Sequence, residues 1–276
     1  MAGLIRAAAC VAFMGLSAGG VQAADLGGDT SFPYKDGFGG AWVVVLGGYG
    51  AAQPSYPGSD NYSFAFRPIV DIHRANATEW LTLPNDAANL TLFESGAFRA
   101  GVAGDLLTDR THSGDRAPLG LHDVDYTLEL GGFAELYPAS FLRTRVELLQ
   151  GVTGADGLVA NFMADFIYKP HPQWLFTAGP RLKVVNDQYN STFFSVDGQE
   201  ALASGLPNYH ASGGLNSAGI DATARYDVSA RLSLRAFAEW DRLTSDAADS
   251  PIVKLRGSED QFQIGIGAAY KFYYTH

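Results

Sequence analysis

Residues 261–274, QFQIGIGAAYKFYY, alternate strictly between two kinds of side chain. A period of two over a dozen residues predicts a β-strand whose two faces meet different surroundings. Strands in soluble proteins are usually shorter, whereas this length and an aromatic end are typical of a strand that crosses a bilayer. We therefore expect the even face to meet lipid and the odd face to meet the interior of a barrel. The even positions are Ile264, Ile266, Ala268, Tyr270, Phe272 and Tyr274; the odd ones are Gln263, Gly265, Gly267, Ala269, Lys271 and Tyr273.

The composition of the whole chain favours β-structure in a membrane. Of the 276 residues, 47% are apolar and only 17% are charged, against about 25% charged in ordinary soluble domains. The chain has 32 glycines, 13 tyrosines and 17 phenylalanines. Beyond the N-terminal region the sequence holds no apolar run of about 18 residues, so it does not predict membrane helices. The net charge of −10 disfavours nucleic-acid binding, which needs basic patches.

The N-terminal residues have the pattern of a secretory signal peptide. Arg6 supplies a positive start, residues 7–16 form an apolar run, and Val21-Gln22-Ala23 is a small-x-small cleavage site. Cleavage after Ala23 would remove Cys10, the single cysteine, so we expect no disulfide in the mature chain. The expected organisation is a signal peptide at 1–23, an N-terminal periplasmic segment at 24–39 and a barrel at 40–276.

Alternation recurs along the chain and predicts an all-β fold, namely a transmembrane antiparallel up-and-down β-barrel of about 12 strands. Counted from a periplasmic N-terminus, every even connection is short and most odd ones are long, as expected for periplasmic turns and extracellular loops. Residues 78–97 are ambiguous because the strands there are short and Pro84 interrupts them; without that hairpin the count is 10. The expected strands are 40–50, 62–73, 78–83, 88–93, 97–108, 123–137, 141–152, 158–169, 173–185, 213–227, 231–243 and 261–274.

Several distinctive loop and strand-end segments follow one another over most of the chain. They include Tyr56-Pro57-Gly58-Ser59, DYTLELGGF at 125–133, Ser204-Gly205-Leu206-Pro207-x-Tyr209, Ser250-Pro251 and Gly267-x-x-Tyr270-x-Phe272. In this ordered set the chain resembles the MipA/OmpV family, the MltA-interacting protein family of outer-membrane β-barrels. The resemblance marks these loop positions as candidate functional residues: Tyr56, Gly58, Ser59, Ser204, Gly205, Leu206, Pro207, Tyr209, Ser250 and Pro251.

The resemblance implies a location in the outer membrane of a Gram-negative bacterium, in contact with outer-membrane lipid and lipopolysaccharide. It also implies a structural or scaffolding role in the cell envelope. The partners in that role would be peptidoglycan enzymes, either lytic transglycosylases or peptidoglycan synthases. We expect no cofactor, no metal site and no enzymatic activity.

Two other functions stay open at this point. The first is a narrow channel for small solutes, because about 12 strands enclose a small interior. The second is a barrel lipid hydrolase, in which His210 and Ser212 project to the same side of a strand. Such a site needs a third polar residue to orient the histidine; the sequence shows no well-placed one and leaves Glu239 and Asn216 open. The sequence also leaves open whether residues 186–212 fold over the lumen or reach outward. We expect inward charges to form ion-pair networks that plug the lumen or leave a small pore: Arg67, Asp71, Arg143, Arg145, Glu147, Arg225, Arg231, Arg235 and Glu239.

Overall fold

The computed structural model describes residues 41–75, 79–107, 110 and 120–274. Within these ranges eleven strands form one closed barrel, antiparallel throughout except between β2 and β3. The expected signal peptide and N-terminal periplasmic segment lie outside the described residues. The strands are β1 Trp42–Pro54, β2 Tyr62–Arg74, β3 Ala88–Ser95, β4 Phe98–Leu107, β5 Thr127–Ala139, β6 Leu142–Gly151, β7 Gly157–His171, β8 Trp174–Val185, β9 Gly214–Asp227, β10 Leu232–Leu243 and β11 Asp260–Tyr274.

The last strand closes the barrel with the register that its alternation predicts. β11 pairs with β1 from Trp42↔Tyr274 to Ala52↔Ile264, and with β10 on its other edge. Ile266 is 74% exposed on the outer face. A Cβ at Gly267 would come within 2.8 Å of the Tyr49 ring, which is buried inside the barrel. The small odd-numbered residues therefore leave room for larger side chains in the lumen.

The outer surface of the barrel is apolar and its interior is charged. Large apolar side chains are exposed on nearly every strand, including Phe64, Phe166 and Ile220, whereas arginines such as Arg99 and Arg143 are fully buried. This arrangement is the reverse of a soluble protein and is stable only where lipid replaces water around the wall. Aromatic side chains collect near the short turns, where Trp174 stacks on Phe176 at 5.5 Å between ring centroids. No helix among the described residues is long and apolar enough to cross a membrane.

The strand expected at 78–83 is not formed at its described residues 79–83. Residues 84–87, which the expected strands 78–83 and 88–93 would place in an outer loop, lie inside the barrel instead. Residues 79–87, here called the lumen segment, run inside the barrel, where Trp80, Leu81, Leu83 and Ala87 are buried. The chain thus returns upward through the interior before β3 begins, so β3 runs parallel to β2. A closed barrel in which every neighbouring pair of strands is antiparallel must have an even number of strands. The one parallel pair, β2 with β3, allows this barrel to close with eleven strands instead of twelve.

Four short helices lie in the β8–β9 and β10–β11 outer connections and fold over the mouth of the barrel. They are α1 Asp187–Phe194, α2 Gly198–Ser204, α3 Ser245–Asp249 and α4 Pro251–Arg256. Phe193 and Phe194 of α1 are buried against Val159, Val185 and Leu243 at the outer ends of three strands. We call this assembly, together with residues 55–61 and 120–124, the outer cap. The loop at 186–212 therefore folds back over the lumen, although Leu202 stays 89% exposed.

Candidate functional site

A network of buried ion pairs crosses the periplasmic half of the lumen. Arg99 on β4 binds Asp71 on β2 at 3.1 Å and Glu135 on β5 at 3.0 Å. Arg143 on β6 binds Glu135 and Asp165 at 2.8 Å each. Arg181 on β8 continues it from Asp165, at 2.6 Å, to Asp221 on β9, at 3.2 Å. Because each arginine satisfies carboxylates on two different strands, the network joins β2 to β9 across the interior.

The lumen segment is fastened to this network and to the opposite wall. Asp71 accepts a hydrogen bond from Thr82 Oγ1 at 2.7 Å. Arg235 on β10 donates to the carbonyl oxygen of Thr82 at 2.7 Å, and Arg143 binds the Asp86 carboxylate at 2.7 Å. The Trp80 ring lies 5.0 Å from the Arg99 guanidinium. These contacts hold the segment across the lumen, so together with the network it closes the periplasmic half of the barrel.

The predicted ion-pair networks are present, with members that the sequence analysis missed. Asp71, Arg143, Arg145, Glu147 and Arg225 form ion pairs as expected. The missed members stand at alternate inward positions of their strands, so a strict period of two would have found them. Three of the expected residues make other contacts, since Arg67 binds Gln263, Arg231 lies over the Tyr273 ring and Arg235 binds Thr82. The missed residues on the strands include Arg99, Glu135, Asp165, Arg181 and Asp221, and the lumen segment adds Glu79 and Asp86.

The resemblance-derived loop positions, far apart in sequence, meet in the outer cap. Tyr56 and Leu206 pack with Ile252 in one buried cluster that also holds Leu121 and Val196. Tyr209 packs against the cluster and donates from its hydroxyl to the carbonyl of Asp246 at 2.9 Å. Apolar burial between separate loops is what holds an irregular cap in one arrangement.

Residues Gly58 and Ser59 attach the first outer loop to the last one. Gly58 has φ +89°, and a Cβ there would lie 2.7 Å from Val253, so both its conformation and its contact require glycine. Its N–H donates to Gln261 Oε1 at 3.0 Å. Ser59 pairs with Gly257 through an isolated β-bridge. These contacts close the cap across the seam between β1 and β11.

The remaining loop positions begin or end the cap helices. Ser250 caps α4 by accepting from the N–H of Ile252, and its hydroxyl donates to the carbonyl of Phe194 at 2.7 Å. Pro251 occupies the first turn, where its missing N–H costs no hydrogen bond. Ser204 ends α2, and Gly205 follows it in the left-handed conformation with φ +74°. Pro207 is exposed. These placements show how the motif builds the cap and leave its functional role a proposal.

The outer half of the lumen contains a chamber of about 750 Å³. Its roof is the cap, through Tyr56, Tyr189 and Phe193, and its floor is the lumen segment and the ion network, through Asp86 and Arg181. Its polar wall is formed by β9, β10 and β11. That volume is typical of ligand pockets. The polar residues of the wall are Asn216, Ser217, Glu239, Asp241, Gln261 and Gln263.

The hydrolase candidates are not arranged as the alternative requires. His210 and Ser212 precede β9, which begins at Gly214, so the expectation that a strand places them on one side is wrong. The backbone of Ser212 is held instead, its N–H donating to Asp246 Oδ2 at 2.7 Å. No hydrogen bond joins the side chains of His210 and Ser212 or links either to another described residue. Glu239 and Asn216 lie in the chamber below.

Glu200 joins α2 to the β4–β5 loop. Its carboxylate accepts from the N–H of Asp197 and of His122, both at 2.8 Å, and lies 2.6 Å from His122 Nδ1. Burial raises the pKa of the Glu200 carboxyl, but these donors outweigh burial and hold the pKa below its usual value. The ionised form therefore favours the closed cap.

We expect the outer cap to loosen on acidification. The pKa of Glu200 is lower in the folded cap than in the unfolded chain, where it is about 4.3. The contribution of Glu200 to the stability of the cap is therefore complete above the unfolded pKa and is lost as the pH falls through the lowered pKa. Hydrogen exchange of α2 amides, corrected for the intrinsic rate, should accelerate below about pH 4. In Glu200→Gln the same amides should show no such step. Full protection of the wild type through this range would contradict the role given to Glu200.

A closed barrel with an apolar outer belt and a charged interior is a transmembrane β-barrel of the outer-membrane class. Within that class the chain belongs to the MipA family: the family profile described as "MltA-interacting protein MipA" matches residues 46–272. The match covers most of the barrel and includes all ten marked loop positions.

Solved structures resemble the fold only remotely. An outer-membrane channel from Pseudomonas putida F1 is 12% identical, with 87% of this chain and 98% of that chain covered and a TM-score of 0.46. The outer-membrane channel DcaP of Acinetobacter baumannii is 8% identical, with 87% and 99% covered and a TM-score of 0.38. OprG from Pseudomonas aeruginosa is 10% identical, with 84% and 96% covered and a TM-score of 0.30. Such scores carry no argument about function. The comparison with curated proteins gave no match.

Proposed function

We propose that this protein is a non-conducting outer-membrane barrel with a scaffolding role, whose periplasmic end binds a peptidoglycan-remodelling enzyme. The observation that carries the proposal is the closed periplasmic half of the lumen. Arg143 alone makes ion pairs with Asp86, Glu135 and Asp165, all almost fully buried. Ions in transit would have to break these pairs, and a buried charge without a partner is costly. A barrel closed in this way does not conduct ions, so the scaffolding role is assigned to its periplasmic surface.

The family description names the kind of partner. It describes a protein that interacts with MltA, a lytic transglycosylase, and this partner class is extended here to the present chain as a proposal. Such an enzyme acts on peptidoglycan and so meets the barrel from the periplasm. The surface that faces it consists of the short turns, including the exposed turn between β7 and β8 at 171–174.

Binding of a purified lytic transglycosylase to the full-length protein in lipid nanodiscs tests the scaffold. We expect binding that weakens when His171 and Gln173 are replaced by serine and persists when Asp60 and Asn61 of the outer loop are replaced by serine. Absence of binding by the wild type would overturn the scaffolding role. A planar-bilayer recording tests the closed lumen separately: a steady current would favour the narrow channel instead.

The same proposal includes export and lipid contacts. Cleavage after Ala23 would give a mature chain beginning at Ala24, and the intact mass of the protein isolated from outer membranes tests this. The apolar belt would contact lipid chains, and the rim of the outer cap would contact lipopolysaccharide. A mass that retains residues 1–23 would overturn the cleavage.

A further inference from the structure

The wall of the barrel is incomplete beside the chamber. β2 pairs with β1 along its whole length, but with β3 only at Asp71↔Asn89 and Ile72↔Leu90. β3 begins at Ala88, opposite Gly104 of β4. Among the described residues, no strand therefore pairs with this edge of β2 over residues 62–70. We call the space between this edge and the outer end of β4 the lateral gap.

The chamber reaches this gap. Its lining includes residues 63–68 on the β2 edge and 104–107 on β4, as well as the polar wall on the far side. The rings of Phe64 and Phe66 lie over Gly50 and Gly48 of β1, as a Cβ at either glycine would come within 2.6 Å of a ring atom. The two largest side chains on the edge thus cover the neighbouring strand, so neither ring fills the gap.

Backbone chemistry explains how such an edge can exist in a membrane. Unpaired N–H and C=O groups are too costly in hydrocarbon and are tolerated only where they line a protein cavity or water. Here they line the chamber. Pro68 lies in the unpaired stretch, as expected for a residue that cannot donate to a ladder and is therefore confined to edges. The edge offers backbone donors and acceptors to whatever enters.

The other routes into the chamber are covered by described residues. The roof is the outer cap, whose clusters join all five outer connections, and the floor is the lumen segment with its ion network. A molecule that reaches the chamber through the gap comes from the outer half of the bilayer. It must therefore partition into lipid, which requires an apolar part.

The far wall of the chamber carries two carboxylates, each with one oxygen that has no hydrogen-bond partner among the described residues. Glu239 and Asp241 project from the same face of β10, about 7 Å apart along the strand. Glu239 is only 8% exposed. Its Oε2 atom, like Oδ1 of Asp241, has no hydrogen-bond partner among the described residues. A buried carboxylate oxygen without a donor is costly, so this pair is suited to a ligand that supplies positive charge.

The cations around the chamber offset this charge only in part. Arg181 is engaged by Asp165 and Asp221. Arg67, which binds the neutral amide oxygen of Gln263, and Lys183, which interacts electrostatically with Glu239 and Asp241, both line the chamber. Asp105, at the gap, adds a third carboxylate without an ion pair among the described residues.

We propose that the chamber binds a cationic amphiphile, with an amine or quaternary ammonium head and one alkyl chain, that enters from the outer leaflet through the lateral gap. The head lies against Glu239 and Asp241, where its positive charge compensates the two unpartnered oxygens. The alkyl chain extends through the gap between β2 and β4 toward the lipid. The site is separate from the periplasmic surface of the scaffold proposal, so either can fail without the other.

Binding of dodecyltrimethylammonium to the full-length protein in nonionic detergent micelles tests the charge of the ligand. We expect saturable binding that dodecyl sulfate and tetramethylammonium do not reproduce, because one lacks the positive head and the other the chain. The double variant Glu239→Gln/Asp241→Asn should bind at least about tenfold more weakly, the loss that about 1.4 kcal/mol produces. The control Asp60→Asn removes an exposed loop carboxylate and should bind as the wild type does. Equal binding of the sulfate would overturn the proposal.

Photolabelling of the wild-type protein tests entry through the lateral gap. Because it needs no substitution, it also tests the proposal if the double variant does not fold. A dodecyl ammonium that carries a diazirine in its chain is photolysed with the protein, and the labelled residues are identified by mass spectrometry. We expect label at residues 63–68 and 104–107 and within the chamber. Label spread evenly over the outward faces of β6–β9 would show simple dissolution in the micelle and would overturn the lateral route.

Discussion

Arg143→Ala should destabilise the barrel by about 3–5 kcal/mol, the effect of removing one partner from a buried ion pair. Arg143 is fully buried and binds Asp86, Glu135 and Asp165 at 2.7–2.8 Å. Alanine would leave three buried carboxylates short of a cation at once. The loss also removes the shortest contact between the lumen segment and β6, which joins Arg143 to Asp86 at 2.7 Å.

Urea unfolding of the protein in lipid vesicles, followed by tryptophan fluorescence, measures this effect. Arg143→Lys should recover only part of it, because an ammonium cannot reproduce the planar fork that binds three carboxylates. The matched control is Arg242→Ala, which removes an exposed arginine paired with Glu259 and Asp260 and should cost at most about 1 kcal/mol. If both alanine variants lost the same small amount, the buried network would not be what stabilises the lumen.

The sequence predicted the parts of the fold that depend on local periodicity. In β11 every even residue from Ile264 to Tyr274 faces outward, because a two-sided environment imposes a period of two that neighbouring strands do not alter. The order of short and long connections likewise predicted which end carries the cap. Both signals are properties of a few consecutive residues, so a single sequence is enough to reveal them.

The lumen segment could not be predicted in the same way. The alternation at residues 79–83 is typical of a strand. Contacts from distant strands hold these residues inside the barrel, such as the hydrogen bond that Arg235 donates to the carbonyl oxygen of Thr82. Such contacts are visible only when the barrel is closed. Pro84 was the local feature that argued against a strand pair here, because proline has no N–H to donate to a β-ladder.

The candidate site, too, was predicted only in part. The marked positions Gly58 and Gly205 were found by resemblance, and the structure gives their physical reason in positive φ angles within tight turns of the cap. The chamber was missed because no residue in it is unusual in its own strand. Glu239 was expected only as an ordinary inward charge, and Asp241 was not singled out. The unpartnered oxygen of each emerges only from the arrangement of β8, β9 and β10 around them.

The cap and the floor have different energetic characters. The cap is held by apolar clusters and single hydrogen bonds between loops, so its parts can loosen separately, as the pH dependence of Glu200 illustrates. The floor is a connected network in which each arginine serves two or more carboxylates, so a change at one point is felt at the others. We therefore expect the periplasmic closure to be the more rigid of the two.

Replacing residues 80–86 by a glycine–serine heptapeptide should open the lumen while the barrel remains folded. The length is kept, so the connection from β2 to β3 still reaches, but the Trp80 ring, the Thr82 hydroxyl and the Asp86 carboxylate are all removed. Arg99, Arg143 and Arg235 would each lose a contact with the segment, and water would enter in its place, because a buried polar group that loses a partner is costly unless it is hydrated.

Single-channel recording in planar bilayers measures the opening. The wild type should carry no steady current, and the replacement variant should show resolvable conductance together with reduced resistance to urea. The control Trp80→Phe keeps an aromatic ring beside Arg99 and Tyr137 and retains the Thr82 and Asp86 contacts, so it should stay closed. A folded replacement variant that conducts no better than the wild type would show that the ion network alone closes the barrel. The buried arginines would then be the barrier, and the segment would serve only to balance their charge.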